Sequence, residues 1–331
     1  MGILAGTSRG LYRIDESAAT KVLDKPLVRD LTAMGDWLFA GSSEGLFVST
    51  DQGASWSPAG LEGLAVWQVR GSADGRVLYA GVEPAALYRS NDGGERWTEI
   101  ESFSRLPEAA KWCVPLTPPL PGRARAIVVD QTNPDRIWVG VEVGGMLRSE
   151  DGGASWQLNL PGDNPDIHML SAHPTDTNVL FVSTGYGRPD GVAEMIEGNA
   201  GVFRSDDGGA SWQYAWHGIT PRYSRPMCID PRPPYGLTVA SAPTAFSNVR
   251  EAGGAKAMLF RSDDGGGSWR SLCDPAHSPS AANFHGLTHD PSEPGAVIVG
   301  NDSGEVWQVS AQGAWRKCAD GLPTVLSLLA A

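Results

Sequence analysis

The sequence predicts an all-β repeat fold: seven similar units of four strands, closed into one ring. Three observations carry this prediction. An eight-residue phrase, SxDxGxxW, occurs five times, at Ser49–Trp56, Ser90–Trp97, Ser149–Trp156, Ser205–Trp212 and Ser262–Trp269. A short apolar run ending in a small residue occurs seven times, at Gly6, Gly41, Gly81, Gly140, Ser183, Ser241 and Gly300. The apolar segment Thr324–Ala331 has no unit of its own and fits as the missing strand of the first. Internal periodicity of this kind outranks local propensity as a fold signal.

Each phrase has a mechanism. Ser and Asp side chains bond nearby backbone amides in a tight turn, and Gly supplies the positive φ that such a turn needs. The Trp then covers the turn with a large apolar face. The segments just before the phrases, GLFVS, ALYRS, GMLRS, GVFRS and MLFRS, read as short strands. The phrase and the strand before it therefore form a hairpin.

Here the resemblance is definite. SxDxGx[ST]W resembles the Asp-box, or BNR repeat, of the sialidase-like and VPS10-like β-propellers. A companion phrase of that superfamily, a D-P-x-x-P turn followed by a strand and a small residue, is seen in VVDQTNPDRIWVG, SAHPTDTNVLFVS, CIDPRPPYGLTVA and THDPSEPGAVIVG. The resemblance covers nearly the whole chain and implies a single seven-bladed β-propeller domain over residues 1–331. It says little about chemistry, because propellers host many unrelated functions.

The blades follow in order. A blade has four antiparallel strands, A to D, from the axis outward. The seven small-residue endings mark strand B of each. The chain enters at strand B of the first blade, Ile3–Gly6, and Thr324–Ala331 supplies its strand A, which removes an open sheet edge. The seventh blade carries a worn Asp-box, Ser310–Trp315. Three longer stretches, Glu101–Pro121, Gly185–Asn199 and Ala242–Ala257, fall on the D–A links and B–C loops. In a propeller these share one face, the mouth of the central channel. The Asp-boxes lie at the opposite face and read as structural.

The formal charge of −12 and the absence of a basic run argue against a nucleic-acid or membrane partner. The four cysteines, Cys113, Cys228, Cys273 and Cys318, form no metal or disulfide spacing and read as reduced thiols. With no leader-like segment or long apolar run, the expected location is cytoplasmic.

Repeat arithmetic gives the candidate site. Five residues before the A–B turn positions Asp130, His173, Asp230 and Asp290 stand Arg125, His168, Arg225 and His285. Equivalent positions on strand A form a ring at the mouth, and Trp67 and Arg29 fall near the same level. Two residues past the strand B endings stand Ser8, Ser43, Glu83, Glu142, Gly185, Pro243 and Asp302. This second ring brings carboxylates toward the Arg/His arc. Arg9, Lys111, Trp112, Tyr186, Tyr223 and Asn301 are neighbours in a second line.

The expected ligand-binding residues are Arg125, Arg225, Glu83, Asp302, Trp67 and Tyr223. Two arginines clamp a carboxylate, sulfate or phosphate. His168, His285 and Glu142 are the catalytic candidates, as acid or base. The same three form a His/carboxylate set of the kind that holds a divalent metal ion. The plainer reading is a ring of paired charges around a watery channel.

For function, the sequence points to a small polar, anionic ligand bound at the mouth by a hydrolase or lyase of glycoside-hydrolase-like character. The alternative is a non-catalytic propeller that binds protein partners, as photosystem assembly factors and sorting receptors with a similar repeat do. A true sialidase is not expected. Sialidases have six blades and an F/Y-R-I-P arginine, and Arg9, Arg13 and Arg29 stand in no such phrase. The resemblance to large xyloglucan-degrading enzymes is limited to the repeat, since those work in a cleft between two propellers.

Overall fold

A computed structural model describes residues 2–16, 18–185, 196–245, 252–277 and 279–330. Among these residues the strands form seven four-stranded antiparallel sheets and one two-stranded hairpin, Cys113–Val114 with Leu120–Pro121. Each sheet is one blade. Blade four, for example, runs from Arg123–Val129 through Ile137–Glu142 and Gly145–Ser149 to Gln157–Asn159. The innermost strands of successive blades touch one another around a closed circle. No helix among the described residues is long and apolar enough to cross a membrane.

The ring closes as the repeat count predicts. Val325–Ala330 pairs antiparallel with Ile3–Thr7 and completes the first blade. Ser8 N–H donates to the Thr324 carbonyl at 2.9 Å, and Ser327 Oγ donates to the Val28 carbonyl of the second blade at 3.0 Å. Val325 and Leu328 are buried with Ile3, Ile298 and Val306 in the core shared by the first and seventh blades.

The small residues that end strand B have a packing cause. A Cβ placed on Gly81 would collide with the Ala124 carbonyl of the next blade. One on Gly140 would strike Ile167, and one on Gly300 would strike Val325. Each Gly lets the innermost strand of the following blade approach closely. Apolar side chains then fill the gaps between blades, with Trp138, Trp216 and Tyr79 fully buried. Each such side chain contributes about 1.5–3 kcal/mol through removal from water.

The Asp-boxes are hydrogen-bonded turns. In the fourth, Ser205 Oγ donates to Asp207 Oδ1 at 2.8 Å and accepts from Gly209 N–H at 2.8 Å. Ser211 donates its N–H to Asp207 Oδ1 at 2.9 Å and its Oγ–H to Oδ2 at 2.6 Å. These bonds, the Ser211 hydroxyl first, hold the Asp207 carboxyl at about 2. Several box tryptophans reach the preceding blade. Trp97 Nε1 donates to the Ala59 carbonyl at 2.9 Å, and the worn box does the same, Trp315 Nε1 to Leu272 O at 2.9 Å. The boxes hold turns and join blades. No disulfide joins the four cysteines among the described residues.

The A–B turn aspartates are staples too. Asp130 accepts from Thr132 of its own turn and from Thr177 Oγ1 of the next blade at 2.7 Å. Asp230 accepts from Gly295 N–H of the seventh blade at 2.7 Å.

Candidate functional site

Strand A of six blades carries a β-bulge at the same level. The pairing with strand B skips Trp67 in blade three, Arg125 in blade four, His168 in blade five and His285 in blade seven. It skips Arg225 and Pro226 in blade six and Leu326 in blade one. In blade two, Arg29 stands immediately before strand Asp30–Met34 and donates its N–H to the Gly41 carbonyl at 2.9 Å. A bulged residue leaves the ladder and its side chain is re-aimed. Here Arg29, Trp67, Arg125, His168, Arg225 and His285 all line one central channel of about 870 Å³.

Behind this ring lies a charge network. Arg123 donates from Nε to Glu83 Oε2 and from Nη1 to Glu142 Oε2, each at 3.0 Å. Arg125 Nη1 lies 3.0 Å from the same Glu142 oxygen. Trp67 Nε1 donates to Glu83 at 3.0 Å. The Trp67 ring is a platform for three guanidiniums, with Arg29, Arg123 and Arg125 at 4.3, 4.7 and 5.1 Å from its centroid. Stacking on an indole suits the planar, weakly hydrated guanidinium.

On the other side, His168 Nδ1 lies 2.6 Å from the Ser224 carbonyl, so Nδ1 carries a proton. Its Nε2 faces Asp166 Oδ1 at 3.2 Å and Tyr223 Oη at 3.4 Å. Arg225 donates to Tyr223 Oη from Nε at 3.3 Å and from Nη2 at 3.1 Å. Burial raises the Tyr223 phenol, against the pull of Arg225. It stays protonated and is no phenolate nucleophile.

Among the described residues the mouth holds surplus positive charge. Burial, then the repulsion of Arg123 and Arg125, lowers Arg29 to about 10. Among the described residues no carboxylate lies within ion-pair distance of Arg29. Burial, then Arg225, Arg125 and Arg29, lowers His285 to about 3, so its ring is neutral. Burial opposes the charge of Glu142, but Arg125 and Arg123 outweigh it and keep that carboxyl ionised.

The expected residues divide into two layers. Arg125, Arg225, His285 and Trp67 line the channel, as the repeat arithmetic placed them. Glu142 and His168 also border it, yet both are buried and engaged, Glu142 with two arginines and His168 with Ser224. An ionised, twice-paired Glu142 is a poor general acid. Glu83 and Tyr223 support Arg123 and Arg225 from behind. Asp302 does not line the channel: its N–H donates to the Asn283 carbonyl, and its own carbonyl accepts from Thr324 Oγ1, both at 3.0 Å. Trp112 packs on Phe103 in the core, and Asn301 Nδ2 donates to Glu305. Tyr186 lies outside the described residues.

The set offered for a metal fits poorly. His285 contacts Arg225 instead of His168 or Glu142. Glu142, Asp166 and His168 do bring one ligand atom each within 4.8 Å of the others. The Glu142 oxygen already takes two guanidinium bonds, and the four arginines oppose a divalent cation.

Arg123 and Asp166 were missed, although a signal existed. Each stands two residues before a ring residue on the same strand or its approach, as Tyr223 does before Arg225. Alternation along a strand puts positions two apart on one face.

Comparisons with known proteins agree with this architecture. The model of the BNR/Asp-box repeat matches residues 47–58. A xyloglucanase of Paenibacillus sp. is 26% identical over 302 residues, spanning 86% of this chain and 25% of the relative. The xyloglucanase Xgh74A of Acetivibrio thermocellus is 25% identical, over 72% of this chain and 30% of that protein. The chain thus spans about a quarter to a third of the length of these curated relatives. Among solved structures, the GH74 enzyme of Niastella koreensis superposes with a TM-score of 0.64 at 15% identity, over 95% of this chain and 46% of that one. The structure of YCF48 bound to D1 peptide superposes with a TM-score of 0.59 at 19% identity, over 92% of this chain and 84% of that one. The chain is an Asp-box β-propeller of seven blades. Its neighbours include xyloglucanase propellers and a peptide-bound propeller of similar extent.

Proposed function

We propose that the channel mouth binds a polar ligand through an anionic group and that this ligand is a carbohydrate. The observation that carries the anionic part is the charge balance. Among the described residues, Arg29, Arg123, Arg125 and Arg225 meet Glu83, Glu142 and Asp166, and Arg29 is stacked on Trp67 with no ion pair. An anion neutralises this surplus and takes the N–H groups that the paired carboxylates leave open. The xyloglucanase relatives support a carbohydrate and make glycoside hydrolysis the reaction class to test. The ligand differs from theirs in carrying charge.

Calorimetry with neutral xyloglucan oligosaccharides and with uronate-, sulfate- or phosphate-bearing oligosaccharides checks this, with release of reducing ends as the catalytic readout. Charged oligosaccharides are expected to bind, and Arg225→Ala to weaken them. Tight binding of the neutral oligosaccharide, unchanged by Arg225→Ala, would overturn the anionic reading.

A second reading has its own support. The peptide-bound propeller matches this chain over most of both lengths. On that reading the same arginines receive an acidic peptide. Binding of acidic peptides, with no binding of any charged oligosaccharide, would favour it.

A further inference from the structure

We infer that the anionic group this mouth fits is a tetrahedral oxyanion, the phosphate or sulfate of an ester, rather than a carboxylate. The inference rests on the anion-binding reading above and adds the geometry of the donors.

Three arginines line the channel at the level of the ring from alternate blades: Arg29 from the second, Arg125 from the fourth and Arg225 from the sixth. The residues between them are Trp67 and His168. His285 of the seventh blade is the next polar group, and Leu326 of the first closes the circle without a donor. The three guanidiniums therefore approach the channel axis from three directions. Arg29 and Arg125 share the Trp67 ring, at 4.3 and 5.1 Å from its centroid, and Arg225 reaches His285 at 3.4 Å.

Each retains free donors. A guanidinium has five N–H groups. Arg125 uses Nη1 on Glu142, Arg225 uses its nitrogens on Tyr223 and His285, and among the described residues the Arg29 guanidinium meets the face of Trp67.

A carboxylate suits this arrangement badly. Its lone pairs lie in one plane, although each oxygen can accept more than once. When its carbon points out along the axis, that plane contains the axis, so at most two of the three guanidiniums meet a lone pair in line. A phosphoryl or sulfuryl ester presents three terminal oxygens in a pyramid, one toward each arginine. Its bridging oxygen then points along the axis, out of the mouth, where the rest of the ligand lies. His285 Nε2–H is a fourth donor for an oxygen that accepts twice.

The test titrates the full chain by calorimetry with inorganic sulfate, inorganic phosphate and acetate, each at matched ionic strength. It repeats the series on Arg29→Gln and Arg225→Gln. Circular dichroism confirms that both variants fold. Sulfate or phosphate is expected to bind at least about tenfold more tightly than acetate, since one further charged hydrogen bond is worth at least that much. Arg29→Gln should weaken the tetrahedral anion about tenfold and leave acetate nearly unchanged. Whichever of sulfate and phosphate binds more tightly identifies the ester. Acetate binding as well as either, lost in Arg225→Gln but kept in Arg29→Gln, overturns the three-armed site and leaves the anion reading standing. Failure of all three anions to bind overturns both.

Discussion

Arg225 donates from Nη1 to Nδ1 of His285 at 3.4 Å, and this contact fixes the state of the imidazole. A guanidinium has no acceptor, so Nδ1 must carry the lone pair and Nε2 the proton. A neutral histidine thus stands among arginines, kept neutral by burial and by their charge.

On the anion-binding proposal, that relationship makes binding depend on pH. Empty, His285 titrates at about 3 and stays neutral throughout the physiological range. A bound anion offsets Arg225, Arg125 and Arg29 and raises its pKa, so binding takes up a proton. Affinity is expected to rise as pH falls through that raised value and to level off at about 3, where the empty site also takes up the proton. Calorimetry in buffers of different ionisation enthalpy measures the proton uptake. His285→Gln should bind more weakly at the acid end and show no uptake.

Glu142 gives a test of role. A catalytic carboxylate, replaced by its amide, costs turnover and leaves stability alone. Here Glu142 neutralises Arg123 and Arg125. Glu142→Gln is expected to lower stability by about 2–4 kcal/mol, since it strands the partly buried guanidinium of Arg125 and takes one of two carboxylates from Arg123. Anions should bind more tightly to the variant, because the surplus charge grows. Chemical denaturation and calorimetry on one preparation read both effects.

The Asp-boxes predict acid lability. The carboxyls of Asp51, Asp92, Asp151, Asp207 and Asp264 each sit at about 2 in the folded chain. Unfolded aspartates titrate near 4. These groups are depressed, so their contribution is complete above about pH 4 and fades as pH falls through about 2. Asp207→Asn should melt at a lower temperature than the parent at neutral pH, and the difference should narrow toward pH 2. The lost bonds are partly replaced by water, so about 1 kcal/mol is expected. Ligand binding should not change, because the turn lies on the C–D hairpin, away from the mouth.

Ring closure can be tested by truncation. A chain ending at Pro323 lacks the inner strand of the first blade and exposes its partners Ile3–Thr7. Loss of cooperative melting and of solubility is expected. Thermal melting that matches the full chain would show that the closing strand is dispensable.

Much of the fold was legible because repeats report geometry by analogy. Five matched boxes and seven small-residue endings located the blades, and the endings were small for a reason the structure supplies: Gly81, Gly140 and Gly300 lie beneath the next blade's inner strand. The level of Arg125, His168, Arg225 and His285 was legible from the same arithmetic. Their division into exposed and buried layers was not. Both His168 and His285 stand five residues before a turn, yet one bonds a backbone carbonyl and the other an arginine. That difference depends on the neighbouring blade: His168 meets Ser224, whereas His285 meets Arg225. Asp302 went astray for a related reason. It was placed by counting along strand B, whereas its backbone is tied to Asn283 and Thr324 on either side.

The bulges carry a consequence for how such a molecule can change over time. At six of seven blades the residue facing the channel is omitted from the sheet ladder. Its backbone is accommodated by the strand on either side, and its side chain meets other members of the circle and the polar groups behind them. Replacing one member rewrites the chemistry at the axis without disturbing the register of any sheet. The scaffold works like a combination lock with wheels that turn separately, and Arg, Trp, Arg, His, Arg, His and Leu are the setting this chain holds.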